Sequence, residues 1–220
     1  DLNLRASYLQ FIGPRLSADI NHLSFQESSG FGIDTFRADV TFHDQTLDFQ
    51  NLLLQTPRSR ISDQVTMNFE DRSALGNNFL DGVDLITQFD SSTISLQDLS
   101  YFSSDVARVD KRLHFSGAVR GKVGNFQSED FRLAFGEQSF FEGAISFNGL
   151  PDFSQTFIKL QCDRSRLHIQ DFRTFFPDFR PPLNLEKLGL TRFQGNFTGF
   201  HSDFVAYGNF RQRWALSGPT

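Results

Sequence analysis

The residues able to do chemistry are few and scattered along the 220-residue chain. There are five histidines (His22, His43, His114, His168 and His201) and one cysteine, Cys162. A metal site needs imidazole, thiolate or carboxylate ligands brought together from characteristic spacings. No histidine stands at such a spacing from a cysteine or carboxylate, and all five fall at outward strand positions or in turns. No serine sits in a Gly-x-Ser-x-Gly elbow. Gly30-Phe31-Gly32 and the stretch from Gly117 to Gly124 depart in spacing from the dinucleotide fingerprint and the phosphate loop, and no helix pattern follows them. Asn196-Phe197-Thr198 is formally a glycosylation sequon but reads as strand. Arg58 and Arg60, or Arg211 and Arg213, could meet phosphate groups, although solvated surface charge is the simpler account. The most suggestive pair is Asp98 and Asp171. Each precedes apolar residues at helical spacing, so each reads as the cap of a helical turn rather than as an acid catalyst. The chain is read as a non-enzyme that needs no cofactor.

The two aspartates belong to a repeat. Ile94-Ser95-Leu96-Gln97-Asp98-Leu99-Ser100-Tyr101-Phe102 is matched by Leu167-His168-Ile169-Gln170-Asp171-Phe172-Arg173-Thr174-Phe175, at an offset of 73 (171 minus 98). Each copy is followed by Phe-x-Gly-x-apolar-x-Gly: Phe115 to Gly121 in one, Phe193 to Gly199 in the other. Each then reaches an Asp-Phe pair, Asp130-Phe131 and Asp203-Phe204. Landmarks in one order imply a quasi-linear array of stacked units. The copies are placed at about 94–166 and 167–220, within a single segment spanning 1–220 that is read as part of a longer repeat protein.

The elements that carry these residues are strands. Phe36, Ala38, Val40 and Phe42 alternate with Arg37, Asp39, Thr41 and His43, the period of a strand with one buried face. The same alternation runs through Leu2 to Tyr8, Val65 to Phe69, Leu113 to Val123, Phe131 to Phe135, Phe141 to Phe147, Thr156 to Cys162 and Phe204 to Phe210. At Asn51 the phase breaks, which implies a bulge. Residues 70–83 interrupt the strand pattern and read as a short helix or an ordered loop. About a dozen strands joined by short turns predict an all-β antiparallel meander with one or two helical turns. Gly117, Gly121, Gly195 and Gly199 fall on its apolar face, marking sharp bending or close approach. Such a face must be covered by closing into a barrel, pairing into a sandwich, or curling into a trough around a greasy ligand.

Composition narrows the partners. The net charge is −5, so no basic field attracts nucleic acid. Phenylalanine outnumbers the other aromatics, 28 against 3 Tyr and 1 Trp, supplying a large dry surface with no polar atom to satisfy. Cys162 reads as a small buried apolar side chain. No apolar run reaches the roughly 18 to 20 residues of a membrane-spanning helix.

Taken in order, Leu47 to Ile61, Ile94 to Phe102, Phe115 to Phe126 and Phe140 to Asp152 resemble TamB and the wider AsmA-like family of Gram-negative envelopes. The resemblance implies a long sheet curled into a taco-like groove with an apolar concave face. It also implies anchorage in the inner membrane, passage through the periplasm, and carriage of phospholipids toward the outer membrane. Family members of this type pair with an outer-membrane barrel of the Omp85 kind, here through parts outside these residues, and no catalytic residues carry over. The groove lining expected on this reading is Phe36, Val40, Phe42, Val65, Met67, Phe69, Phe115, Val119, Val123, Phe131, Leu133, Phe135, Ile145, Phe147, Phe193, Phe197, Phe204 and Ala206. Open groove ends would allow a homo-oligomer. The alternative is a structural or adhesive β-repeat protein whose same face is a closed, dry core. A fragment of an outer-membrane barrel fits less well, because the strands are uneven and Tyr and Trp are nearly absent.

Overall fold

The computed structural model describes residues 2–101, 110–175, 189–200 and 202–212. Twelve strands follow one another: β1 (Leu2–Ile12), β2 (Arg15–Gln26), β3 (Gly32–His43), β4 (Thr46–Gln55), β5 (Arg60–Phe69), β6 (Val83–Ser95), β7 (Arg112–Lys122), β8 (Asn125–Phe135), β9 (Ser139–Asn148), β10 (Phe157–His168), β11 (Leu190–Gly199) and β12 (Phe204–Gln212). Each pairs antiparallel with its chain neighbours, so sheet order equals chain order. Among the described residues β1 and β12 are the edges of the sheet, which does not close. Among the described residues helix is confined to α1 (Ala74–Asn77), α2 (Phe79–Gly82), α3 (Leu96–Leu99), α4 (Ile169–Phe175) and a 3-10 turn at Phe153–Gln155. That is more helical turns than the one or two expected. α1 and α2 occupy the stretch where the strand pattern lapses.

Residues directly opposite in antiparallel strands share a face. Following those partners across the sheet places one continuous apolar face from β1 to β12. One row runs Leu9, Ala18, Val40, Phe49, Val65, Thr87, Val119, and beyond it Ser128, Ile145, Leu160, Phe197, Ala206. The opposite face carries Arg37, Asp39, Gln64, Gln88, Arg120, Gln127, Lys159 and Arg192. Each strand packs chiefly on its sequence neighbours, so no second layer covers the apolar face among the described residues. Yet Val119 and Ile145 are each only 5% exposed. A flat single layer would leave them wet. They are buried because the sheet curls around them, which makes the apolar face concave.

Two devices produce the curl. The first is a shared bulge in the even strands β2, β6 and β10, where inward positions step by two residues twice and then by three: Leu16, Ala18, Ile20, Leu23; Leu85, Thr87, Phe89, Ser92; Ile158, Leu160, Cys162, Ser165. The extra residue bends and twists each strand at the same level. Asn51 in β4 (φ 51°) adds a bulge with left-handed backbone where the sequence phase breaks, and Asp63 in β5, paired with Leu52 just past it, also has a positive φ (117°). The second device is glycine. A Cβ at Gly117 would run into the Asp130 carbonyl, and one at Gly143 into the Gln161 carbonyl, so partner strands approach closer than any other residue permits.

The common bulge also shows that the repeat unit is a group of four strands: β1–β4, β5–β8 and β9–β12. Gly121 faces Phe126 in β8, and Gly199 faces Phe204 in β12. Phe204 is therefore the counterpart of Phe126, and the sequence pairing of Asp203-Phe204 with Asp130-Phe131 is displaced by the bulge that β8 has and β12 lacks.

Candidate functional site

Two features stand out: the apolar concave face and a pair of buried carboxylates on its rim. Of the residues expected to line a groove, every strand residue lies on the concave face, from Phe36, Val40 and Phe42 on β3 to Phe204 and Ala206 on β12. Val123 is the correction. β7 ends at Lys122, and Val123 forms the two-residue turn to β8 with Gly124. The sequence list also omits Leu47, Phe49, Leu52, Leu85, Phe89, Phe126, Phe141, Ile158 and Leu160, which share the face. Leu52 follows the bulge at Asn51, where simple alternation assigns the wrong side.

Aromatic rings line the face in close pairs: Phe36 with Phe49 (5.8 Å), Phe89 with Phe115 (5.2 Å), Phe126 with Phe147 (5.4 Å), Phe193 with Phe210 (4.7 Å) and Phe197 with Phe204 (4.6 Å). Phenylalanines and glycines oppose one another across strands, as in Phe89–Gly117–Phe131–Gly143. A Cβ at Gly195 would meet the Tyr207 carbonyl and one at Gly208 the Gln194 carbonyl, and the Phe193 ring edge would lie 3.0 Å from the first and 2.8 Å from the second. Rings over glycines restore the packing that the missing side chains forfeit. Part of the phenylalanine excess thus serves the sheet itself.

The lining is not uniformly bare. α1 folds over the face at one rim, where Ala74 and Leu75 pack on Phe42, Leu47, Met67, Phe69, Val83 and Leu85. The Arg72 guanidinium stacks over the Phe42 ring at 4.7 Å. The second cluster, Phe141, Ile145 and Cys162 with Phe126, Phe131, Leu160 and Phe193, has no such helix on it among the described residues. Cys162 is buried as expected, and burial pushes its thiol pKa up against the lowering effect of Ser165. Two hydroxyls on this face, those of Ser128 and Thr191, are buried without a hydrogen-bond partner.

The opposite rim holds the carboxylates, and here the cap reading fails. α3 starts at Leu96, capped by Ser95, whose hydroxyl accepts from Gln97 N. Asp98 lies inside the helix, 7% exposed, and reaches back to the β4–β5 loop. It accepts hydrogen bonds from Thr56 Oγ1 (2.6 Å) and Ser59 Oγ, with Arg58 Nη1 at 3.9 Å. Ser59 Oγ in turn accepts from Ser95 N at 2.9 Å. Asp171, the third residue of α4, does the same for the β8–β9 turn. It accepts from Glu137 N (3.0 Å), Gln138 N (2.9 Å) and Ser139 Oγ (2.8 Å), while Ser139 Oγ accepts from His168 N at 2.9 Å. Burial pushes the Asp171 pKa up. The three hydrogen bonds, with His168 nearby, outweigh burial and hold it below the ordinary carboxylate value. Both aspartates are therefore fully used as acceptors in latches that tie a strand to the second strand beyond it. The donors lie 39 to 42 residues away in sequence for Asp98 and 32 to 34 for Asp171, which is why local capping rules miss them.

Little else gathers. Among the described residues no group of three or more His, Cys, Asp or Glu could hold a metal ion. On the polar face Glu142 is held by Arg164 in a two-pronged pair at 2.7 Å, with Arg132 at 3.8 Å; the Arg164 hydrogen bond lowers its pKa. His114 Nδ1 bonds Thr93 Oγ1 at 2.8 Å, and His43 lies 3.7 Å from Asp44. His201 and Arg213 lie outside the described residues. The arrangement offers an extended apolar surface. Comparison of the chain with family models, curated proteins and solved structures finds no match.

Proposed function

We propose that the concave face binds acyl chains and that the chain works as a segment of a lipid-conducting groove. The observation that carries this reading is the continuous apolar face on all twelve strands, covered among the described residues by no second layer beyond α1 at one rim. At about 4.8 Å between strands, it extends on the order of 50 Å. Moving an acyl chain from water onto such a surface is favourable by about 0.8 kcal/mol per CH₂. Phenylalanine and aliphatic contacts are numerous and undirected, so the cargo can slide. An open seam leaves a headgroup in water. Phospholipid is the cargo that fits the family resemblance, with the periplasm as the setting and docking to an Omp85-type barrel left to other parts of the protein.

The test uses the chain purified without detergent, with bound lipid read by native mass spectrometry and by displacement of a fluorescent fatty acid. The expected result is bound phospholipid, lost in Phe197→Asp, whose half-buried site keeps the charge near water and the sheet folded by circular dichroism. A folded wild-type chain that carries no lipid and binds no probe overturns the reading. The packing of Phe193 over Gly195 and Gly208 favours a second one, a purely structural repeat sheet, and that result would establish it.

A further inference from the structure

We propose that α1 and the residues flanking it form a strap that gates the groove, lying on floor that an acyl chain would take and swinging off it to admit one. The inference rests on the acyl-binding reading, because what the strap vacates is part of that apolar face. Of residues 71–79 only Ala74 and Leu75 turn inward, and the other seven are exposed. Ala74 and Leu75 close over Phe69 and Val83, which are 4% and 0% exposed, in a cluster with Phe42, Leu47, Met67 and Leu85. Those are the contacts a bound hydrocarbon would make. Here the chain supplies them to itself.

The strap is fastened at its two ends and loose between them. At the base, Phe69 N donates to Gln45 O (3.0 Å) and Gln45 Nε2 donates to Glu70 O (2.7 Å). At the far end, Gly124 N donates to Leu80 O (3.0 Å) and Lys122 Nζ donates to Asp81 O. Between these ties, among the described residues, the hydrogen bonds of residues 71–79 stay within the segment. Ser73 N donates to Asp71 Oδ1, Ala74 N to Asp71 O, Leu75 N to Arg72 O, Gly76 N and Asn77 N to Ser73 O, and Gly82 N to Asn78 O. The Arg72 guanidinium over the Phe42 ring adds a weak hold at an exposed site.

Such a segment opens by itself. α1 is a single turn of four residues without a side-chain cap, and a helix this short does not persist once its packing is lost. A Cβ at Gly76 would meet nothing within 4 Å, so the outer end of α1 stands clear of the sheet. Beneath it, β5 and β6 are tied by their own ladder from Arg60–Thr93 to Phe69–Val83, so the strap lifts while the floor keeps its shape. Local opening of this kind belongs to parts of a fold with few buried apolar contacts. The first unit has no counterpart: only Gly13 and Pro14 join β1 to β2, whereas residues 70–82 join β5 to β6. While the strap lies down, apparent affinity for cargo at this floor falls by the fraction of chains that are open.

The test begins without lipid. In a Val83→Cys chain the introduced thiol lies under the strap, while native Cys162, 4% exposed in the second cluster, reports opening of the sheet itself. Both are labelled with a maleimide, located by peptide mass spectrometry and corrected by their rates in denaturant. The introduced thiol is expected to react faster than Cys162. Leu75→Ser, which removes the strap's apolar anchor, should speed it about tenfold further and leave Cys162 and the circular dichroism unchanged. Equal rates at the two thiols, or no response to Leu75→Ser, overturn the proposal. A fluorescent fatty acid then tests the gate: Leu75→Ser should bind it more tightly than the unsubstituted chain, since more chains are open. Equal or weaker binding by folded Leu75→Ser overturns the gate. Absence of binding by every variant overturns the acyl-binding reading instead, and the labelling rates still decide whether the strap moves by itself.

Discussion

Asp98 and Asp171 occupy the same place in successive units and are held by different donors. Asp98 takes two side-chain hydroxyls and stands near an arginine; Asp171 takes two main-chain N–H groups and one hydroxyl. What recurs is the acceptor and the serine that links it to the next strand, Ser59 or Ser139. The donors are interchangeable because the requirement is only to satisfy buried polar groups at a tight rim turn. They are unequal in adaptability. A hydroxyl can rotate to another acceptor, whereas a main-chain N–H in a turn points where the backbone sends it. A second contrast lies on the floor of the groove, where the equivalent positions in β1, β5 and β9 are Ala6, Asp63 and Gly143. Asp63 tolerates φ 117° with a side chain, while at Gly143 the Gln161 carbonyl occupies the Cβ position.

The sharpest way to break this comparison is Gly143→Val. It combines a disallowed backbone with a steric clash and should cost about 3 to 5 kcal/mol, read as loss of cooperative unfolding or a large drop in Tm. Next is the pair of latches. Asp171→Ala strands two main-chain donors and should cost about 2 to 4 kcal/mol, against about 1 to 2 kcal/mol for Asp98→Ala, whose hydroxyl donors can turn elsewhere. Equal losses in denaturant unfolding would show that donor type does not matter. The Asp171 latch has an acid signature too. Its folded pKa lies below the ordinary value of 3.8, so its stabilisation is present above that value and fades as pH falls toward the folded pKa. The stability gap between wild type and Asp171→Asn should therefore narrow below pH 3.8. The smallest effect is expected at Asp63→Gly, where relief of the left-handed backbone should raise stability by about 1 kcal/mol.

Much of this fold can be read from alternation alone. Twelve strands, one apolar face, the break at Asn51 and the lapse at 70–83 all leave local marks, because each reflects which side of a pleat a residue faces. The bulges in β2, β6 and β10 leave almost none. A single extra residue such as the one between Cys162 and Ser165 is defined by the partner strand's hydrogen bonds, and it moves every later residue to the other side. That is why strand reading halts at Cys162 although β10 runs on to His168. The role of Asp98 is hidden for a related reason. Its partners, Thr56 and Ser59, come from a loop two strands earlier, and no local rule connects them. The inward glycines announce a close approach without saying by what; the structure supplies the partner strand's carbonyl.

The meander has a mechanical consequence. With every strand bonded only to its neighbours, a pull on the two free edges loads the backbone hydrogen bonds of a hairpin one after another, so the sheet peels like tape instead of shearing as a block. The aspartate latches are the exceptions, since each ties a loop to the far side of the next hairpin. Under tension they would act as stops, and the chain would lengthen in pulses of several strands, with the force rising at Asp98 and again at Asp171.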